Sequence, residues 1–191
     1  MLCELHPANK NKYTRMNKIA IIYGPLGGNT EKVTKQVADS FSDSNVTIVP
    51  VQDGAQVDFG AFDCIIFGGP TLGTHTWRDA PKENHWDLFM AQLPQLQIKG
   101  AVCAIFGLGD HVSYAHHFVD DIGVLAEKLE AAGAKLIGFT PVDEYIFEHS
   151  KAQRGDYFLG LPIDEDFEAN KSSQRITNWV SQLSKEFNAQ S

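Results

Sequence analysis

Residues 18–31, KIAIIYGPLGGNTE, constrain this chain more than any other segment. Five apolar or aromatic residues, Ile19–Tyr23, run into a loop with glycine at 24, 27 and 28, followed by Asn29-Thr30-Glu31. A helical period starts at once: Val33, Val37 and Phe41 are spaced by four, with Lys32, Lys35 and Asp39 between them. A buried strand, a glycine-rich turn and a helix start make the geometry that holds a phosphate. Glycine lets the backbone approach the anion, and the free N–H groups of the first helical turn point at it along the helix dipole. The loop has no lysine to reach a second or third phosphate, so the match is to a monophosphate. Neither GxxxxGK[ST] nor GxGxxG is present. The competing reading is a glycine-rich turn with no ligand.

Further along, Val46–Val51 reads as a second strand, with Pro50 pointing to a sheet edge. Phe62–Gly68 and Ala101–Gly107 are continuous apolar runs, as expected of strands buried on both faces of a parallel sheet. Helices are predicted at Trp86–Leu93, at Phe118–Ala132 with Gly133 as its cap, and at Ile176–Phe187. A fifth strand begins at Lys135–Phe139, and residues 140–170 read as an insertion in or after it. The alternation implies right-handed crossovers and an α/β three-layer sandwich. The chain of 191 residues divides into a polar leader, residues 1–16, and one domain, residues 17–188.

The net charge is −8; without the leader, which carries Lys10, Lys12, Arg15 and Glu4, it is −10. That balance argues against nucleic acid and would steer basic partners. No apolar run is long enough to span a membrane and no signal peptide is recognisable, so the expected compartment is the cytoplasm. Cys64 and Cys103 lie in apolar runs and Cys3 in the leader, without metal-ligand spacing, as reduced thiols would.

Ligands of such sheets sit at the carboxyl ends of the strands, at the topological switch point. Three loops therefore converge: 24–30, 69–78 and 107–118. The second, GGPTLGTHTW from Gly68, offers Pro70, glycines 69 and 73, and the apolar Leu72 and Trp77. The third, GLGDHVSYAHHF from Gly107, brings backbone N–H groups close at Gly107 and Gly109, a charge at Asp110 and a flat ring at Tyr114. A phosphate cradle, two backbone-rich loops and an aromatic plate describe a site for a planar mononucleotide.

On these segments, and on FLGLPIDEDFE before a closing helix with Trp179, the sequence resembles a long-chain flavodoxin over residues 17–188. The resemblance implies a flavodoxin-like five-stranded parallel sheet of order 2-1-3-4-5, with the long-chain insertion near strand five. It also implies non-covalent FMN and one-electron transfer between redox proteins, without enzyme chemistry. By position, Pro25, Leu26, Gly27, Gly28, Asn29 and Thr30 hold the FMN phosphate, and Gly24 is a further cofactor-binding residue. Pro70, Thr71, Leu72, Gly73 and Thr74 lie along one face of the flavin, and Tyr114 stacks on the other. Gly107, Leu108, Gly109 and Asp110 meet the pyrimidine edge. The Gly73–Thr74 peptide corresponds to one that flips in the family to hydrogen-bond flavin N5. His117, Phe118 and Asp166 complete the predicted contacts. A basic-surfaced reductase and an electron acceptor are the implied partners, and a monomer is the expected state.

Three departures stand out. Pro25-Leu26-Gly27 replaces the family's Thr/Ser-x-Thr, removing two hydroxyls and one N–H; Leu72 stands where an aromatic ring is usual; and Ser113 replaces glycine before Tyr114. Two alternatives follow: an FMN-dependent NAD(P)H or quinone reductase, and a flavodoxin-fold module with altered or lost FMN binding. His75, His111, His116 and His117 cluster without metal-ligand spacing and read as surface histidines. Asp120-Asp121 and Asp164-Glu165-Asp166 read as docking charge or simply solvated acids.

Overall fold

A computed structural model describes residues 17–42, 44–69 and 84–190 of the chain. The elements are β1 (Asn17–Tyr23), α1 (Gly28–Asp39), β2 (Ser44–Pro50), β3 (Cys64–Gly69), α2 (His85–Gln92), β4 (Val102–Leu108), α3 (Asp120–Ala131), β5 (Lys135–Leu136), β6 (Thr140–Pro141), β7 (Gln153–Arg154), β8 (Tyr157–Phe158), β9 (Leu161–Ile163) and α4 (Ala169–Gln190). The main sheet has the order β2-β1-β3-β4-β5, all parallel, and β9 also pairs with β4. This is the flavodoxin-like α/β arrangement expected from the sequence, with β2 and its Pro50 at an edge.

The apolar runs sit inside because successive side chains feed two cores. Ile19, Ile21, Cys64, Ile66, Ala104 and Phe106 face α1 and α4, meeting Val33, Val37, Trp179, Val180 and Leu183. Ala20, Ile22, Ile65, Phe67, Cys103 and Ile105 face α2 and α3, meeting Trp86, Phe89, Ile122, Leu125 and Leu129. Trp86 and Trp179, read from sequence as core residues of helical faces, are both buried.

Besides shifts of one to three residues at other element ends and the start of α4 at Ala169 where Ile176 was expected, two elements differ from the sequence expectation. The fifth strand does not run through Phe139: regular pairing ends at Leu136, and the place beside the upper half of β4 is taken by β9. Gly138, at φ 77°, turns the chain outward where the Trp179 indole donates to its carbonyl at 2.7 Å. A Cβ there would meet Leu183 at 2.6 Å, so glycine is required where the chain leaves the strand path beneath α4. Between β5 and β9 the chain folds β6, β7 and β8 into an antiparallel sheet of order β6-β8-β7. Second, α3 starts at Asp120 rather than Phe118, because Val119 adopts φ 47° and breaks the helical path.

Candidate functional site

β1, β3, β4 and β9 are parallel, so their carboxyl ends share one edge of the sheet, and the order places the switch point between β1 and β3. The loops there are bonded to one another. Gly24 N–H donates to Gly68 O at 3.1 Å, and the buried Trp86 indole donates to Gly24 O at 3.1 Å. A Cβ on Gly24 would lie 2.6 Å from Val51 Cγ1, so only glycine fits between strand end and loop. Gly109 N–H donates to Ile163 O at 2.9 Å, fixing the loop after β4 to β9.

In the first loop Pro25, Leu26, Gly27, Gly28 and Asn29 are exposed and Thr30 is buried. Gly27 and Gly28 adopt φ 79° and 68°. A Cβ on either would meet nothing within 4 Å, so these glycines are required by conformation and not by space. The first N–H groups of α1 have no partner inside the helix and open onto this glycine backbone. The Gly27 N–H is engaged: Glu31 Oε2 accepts it at 2.7 Å, while Lys35 Nζ holds Glu31 Oε1 at 2.6 Å. The lysine bond first, then that of Gly27, holds the Glu31 carboxyl below its ordinary range. A helix N-terminus with unobstructed positive-φ glycines suits a monophosphate, with a paired carboxylate at its rim.

The predicted residues of the second loop, Pro70, Thr71, Leu72, Gly73 and Thr74, lie outside the described residues, as does Trp77. In the third loop, Asp110 Oδ1 accepts from Val112 N (2.9 Å) and Ser113 N (2.6 Å), and Tyr114 N donates to Asp110 O at 3.1 Å. The Asp110 side chain thus braces its own turn. Gly107 is buried against Ile122, Leu108 is half-buried at the end of β4, and Tyr114 is half-buried. His117 is exposed and pairs with Asp120 at 3.0 Å. Phe118 is turned into the interior, among Tyr145, Phe147 and Phe158. Asp166 is exposed; partial burial, then repulsion from Asp164, Asp110 and Glu165, raises its carboxyl.

Sequence reasoning missed three residues. Asp164 has no solvent exposure, so it is neither docking charge nor a solvated acid. His111, read as a surface histidine, lies against it with only 14% of its side chain exposed. Asp120 is buried, accepting from Lys151 N at 2.7 Å. Asp164 carried a usable signal: an aspartate directly after an apolar strand and before a turn is a typical Asx-turn residue. No group of metal-ligating side chains occurs among the described residues.

A doubly wound α/β sheet with a glycine cradle at the first strand–helix turn defines the mononucleotide-binding class of fold. The family model described as Flavodoxin matches residues 21–179. A Nostoc flavodoxin is 35% identical over 170 residues, spanning 89% of this chain and 97% of its own. A Picosynechococcus flavodoxin is 37% identical over 175 residues, 90% and 99% respectively. Among solved structures, a point mutant of Fusobacterium nucleatum flavodoxin bound to flavin mononucleotide superposes with TM-score 0.78 at 25% identity, covering 90% of this chain and 98% of that one. The chain belongs to the flavodoxin family, whose members transfer electrons and are not enzymes.

Proposed function

We propose that this protein binds FMN non-covalently and carries electrons singly between larger redox proteins. The carrying observation is the convergence, on one sheet edge, of the Gly24–Thr30 cradle and the Gly107–Tyr114 loop, pinned through Gly68 and Ile163. FMN, when bound, supplies a flavin that takes up and releases one electron at a time. The Gly28, Asn29 and Thr30 N–H groups and the Thr30 hydroxyl would hold the phosphate. The backbone of Gly107, Leu108, Gly109 and Asp110 would fix the ring edge, and Tyr114 would cover one ring face. Pro70, Thr71, Leu72, Gly73 and Thr74 are assigned to the other face by family position. Asp110 and Asp166 would disfavour added negative charge on the flavin; burial, then repulsion from Asp164, Asp110 and Glu165, already raises the Asp166 carboxyl.

The segment between β5 and β9 supports assignment to the long-chain type. Acidic composition, net charge −8, supports a basic-surfaced reductase and an electron acceptor as partners. Asp120, Asp164 and Glu165 are withdrawn from that surface by burial, leaving Asp166 as the exposed acid of its triplet. No helix of the described residues is long and apolar enough to cross a membrane.

The test is a visible spectrum followed by anaerobic potentiometric titration. A yellow protein reduced in two resolved one-electron steps supports the reading. Rapid bleaching by NADPH alone would favour a reductase, and a colourless protein that FMN does not reconstitute would favour a ligand-altered module. Thr30→Ala, removing the last hydroxyl of the cradle, is expected to weaken FMN about tenfold; unchanged affinity would mean the phosphate binds elsewhere.

A further inference from the structure

Asp164, directly after β9, ties its own turn to the loop after β4. Its Oδ1 accepts from Asp166 N (2.9 Å) and Phe167 N (2.8 Å), and its Oδ2 from His111 N at 3.0 Å. The same Oδ2 lies 2.5 Å from His111 Nδ1. An ionised carboxylate only accepts, so Nδ1 carries the proton. The His111 ring is held edge-on between Phe118 and Phe167, with centroids 6.2 and 6.1 Å away. Both the backbone and the side chain of the residue after Asp110 are therefore fixed to one buried carboxylate on β9's far end.

The adjoining residue reaches the other way. Glu165, with a side chain 3% exposed, takes Lys32 Nζ of α1 at 2.6 Å. Its second oxygen is buried without a hydrogen-bond partner among the described residues, so the carboxylate leans on the lysine. Lys32 lies in the first turns of α1, directly after the glycine cradle. Asp164 and Glu165 thus bond, side by side, to the ring-side loop and to the phosphate-side helix.

We propose that His111 is a positioning residue of the flavin site: through Asp164 it fixes the 107–114 loop, and through Glu165–Lys32 the same segment registers that loop to the phosphate cradle. The inference rests on the FMN reading above. His111 touches neither half of the ligand in this scheme; it sets where Asp110 and Tyr114 stand. A buried hydrogen-bond pair with a charged member is worth enough for its loss to be measured in ligand affinity as well as in folding.

The experiment compares His111→Leu, His111→Gln and His111→Asn in the full-length protein. FMN and riboflavin dissociation constants are read by flavin fluorescence, the two one-electron potentials by titration, and stability by urea unfolding of the flavin-free protein. His111→Leu is expected to weaken FMN and riboflavin alike, about tenfold, because the lesion is on the ring side. His111→Asn, whose amide nitrogen stands where Nδ1 stood, should restore affinity to within about threefold, and should restore the potentials. His111→Gln, with its donor one bond further out, should resemble the leucine variant and serves if that variant does not fold. Lower stability with unchanged flavin affinity and potentials would reduce His111 to packing and overturn the proposal. Failure of asparagine to rescue would do the same. Wild-type protein that binds neither flavin would instead overturn the FMN reading itself.

Discussion

Gly27→Ala separates conformation from space in the phosphate cradle. Gly27 sits at φ 79° and ψ 172°, a region occupied almost solely by glycine. A methyl group there would meet no atom within 4 Å. The whole cost is therefore backbone strain, about 1–3 kcal/mol, with no packing contribution to offset or add. Against a stability of about 5–15 kcal/mol for a domain of this size, that loss is easily resolved. The loop has two ways to respond. If it keeps its shape, urea unfolding of the flavin-free protein shows the full loss of about 1–3 kcal/mol. If it relaxes to a negative φ, stability recovers but the N–H groups at the start of α1 no longer converge, and FMN affinity falls about tenfold, or roughly 1.4 kcal/mol. The two losses together should therefore reach at least about 1 kcal/mol. Urea midpoints and FMN dissociation constants both unchanged to within about 0.3 kcal/mol would refute the positive-φ cradle.

Three further outcomes follow from other parts of the fold. Trp86→Phe removes the indole donor from the buried Gly24 carbonyl and should cost about 1–3 kcal/mol in urea unfolding, with weaker FMN binding; a neutral effect would mean the bond does not hold the loop. Cys103, pushed up to about 12 by burial, and Cys64, raised by burial and then by Cys103, should resist iodoacetamide at about pH 8 until urea is added. Peptide mapping that finds either labelled in the native protein contradicts their burial. For Asp164, burial alone would raise the carboxyl, but the bonds from Phe167, His111 and Asp166 outweigh it and hold it below its ordinary 3.8. A depressed folded-state value gives stability that is complete above the unfolded range and lost as pH falls through the folded one. Unfolding free energy should thus fall more steeply below about pH 4 in the wild type than in Asp164→Asn, and equal slopes would remove this role.

The parts of this molecule that were legible in sequence are those written in local pattern. Runs such as IAIIY and CIIFG signal strands covered on both faces because each successive side chain needs a core, and both cores are present. The glycines at 27 and 28 were legible because positive φ has few other solutions. What escaped was side-chain partnership across long separations. His111 and Asp164 are 53 residues apart and meet only because β9 lies beside β4, an adjacency that neither segment encodes. Asp120 resembles a solvated acid at a helix start, and only the inserted segment, through the Lys151 N–H, gives it a buried partner. The end of β5 was hidden for a similar reason: Gly138, where the chain leaves the strand path, packs against Leu183 and accepts from the Trp179 indole, residues of the last helix.

The electrostatics of the cradle lead to a prediction opposite to that for most phosphate sites. The loop Gly24–Thr30 contains no lysine or arginine. The two lysines of α1 are already engaged, Lys35 with Glu31 and Lys32 with Glu165, each at 2.6 Å. Recognition of a phosphate therefore falls to oriented backbone N–H groups and the Thr30 hydroxyl, short-range contacts that mobile ions screen little. The long-range field is repulsive, since the protein carries −8 and the ligand would bring a dianion. Raising ionic strength from about 0.1 to about 1 M shrinks the screening length from about 10 to about 3 Å and weakens that repulsion. FMN affinity, measured by fluorescence and corrected with riboflavin for salting-out of the ring, should hold steady or tighten by a few-fold. A tenfold weakening would show that a lysine leaves its carboxylate to grip the phosphate, and that affinity rests on side-chain charge instead of backbone geometry.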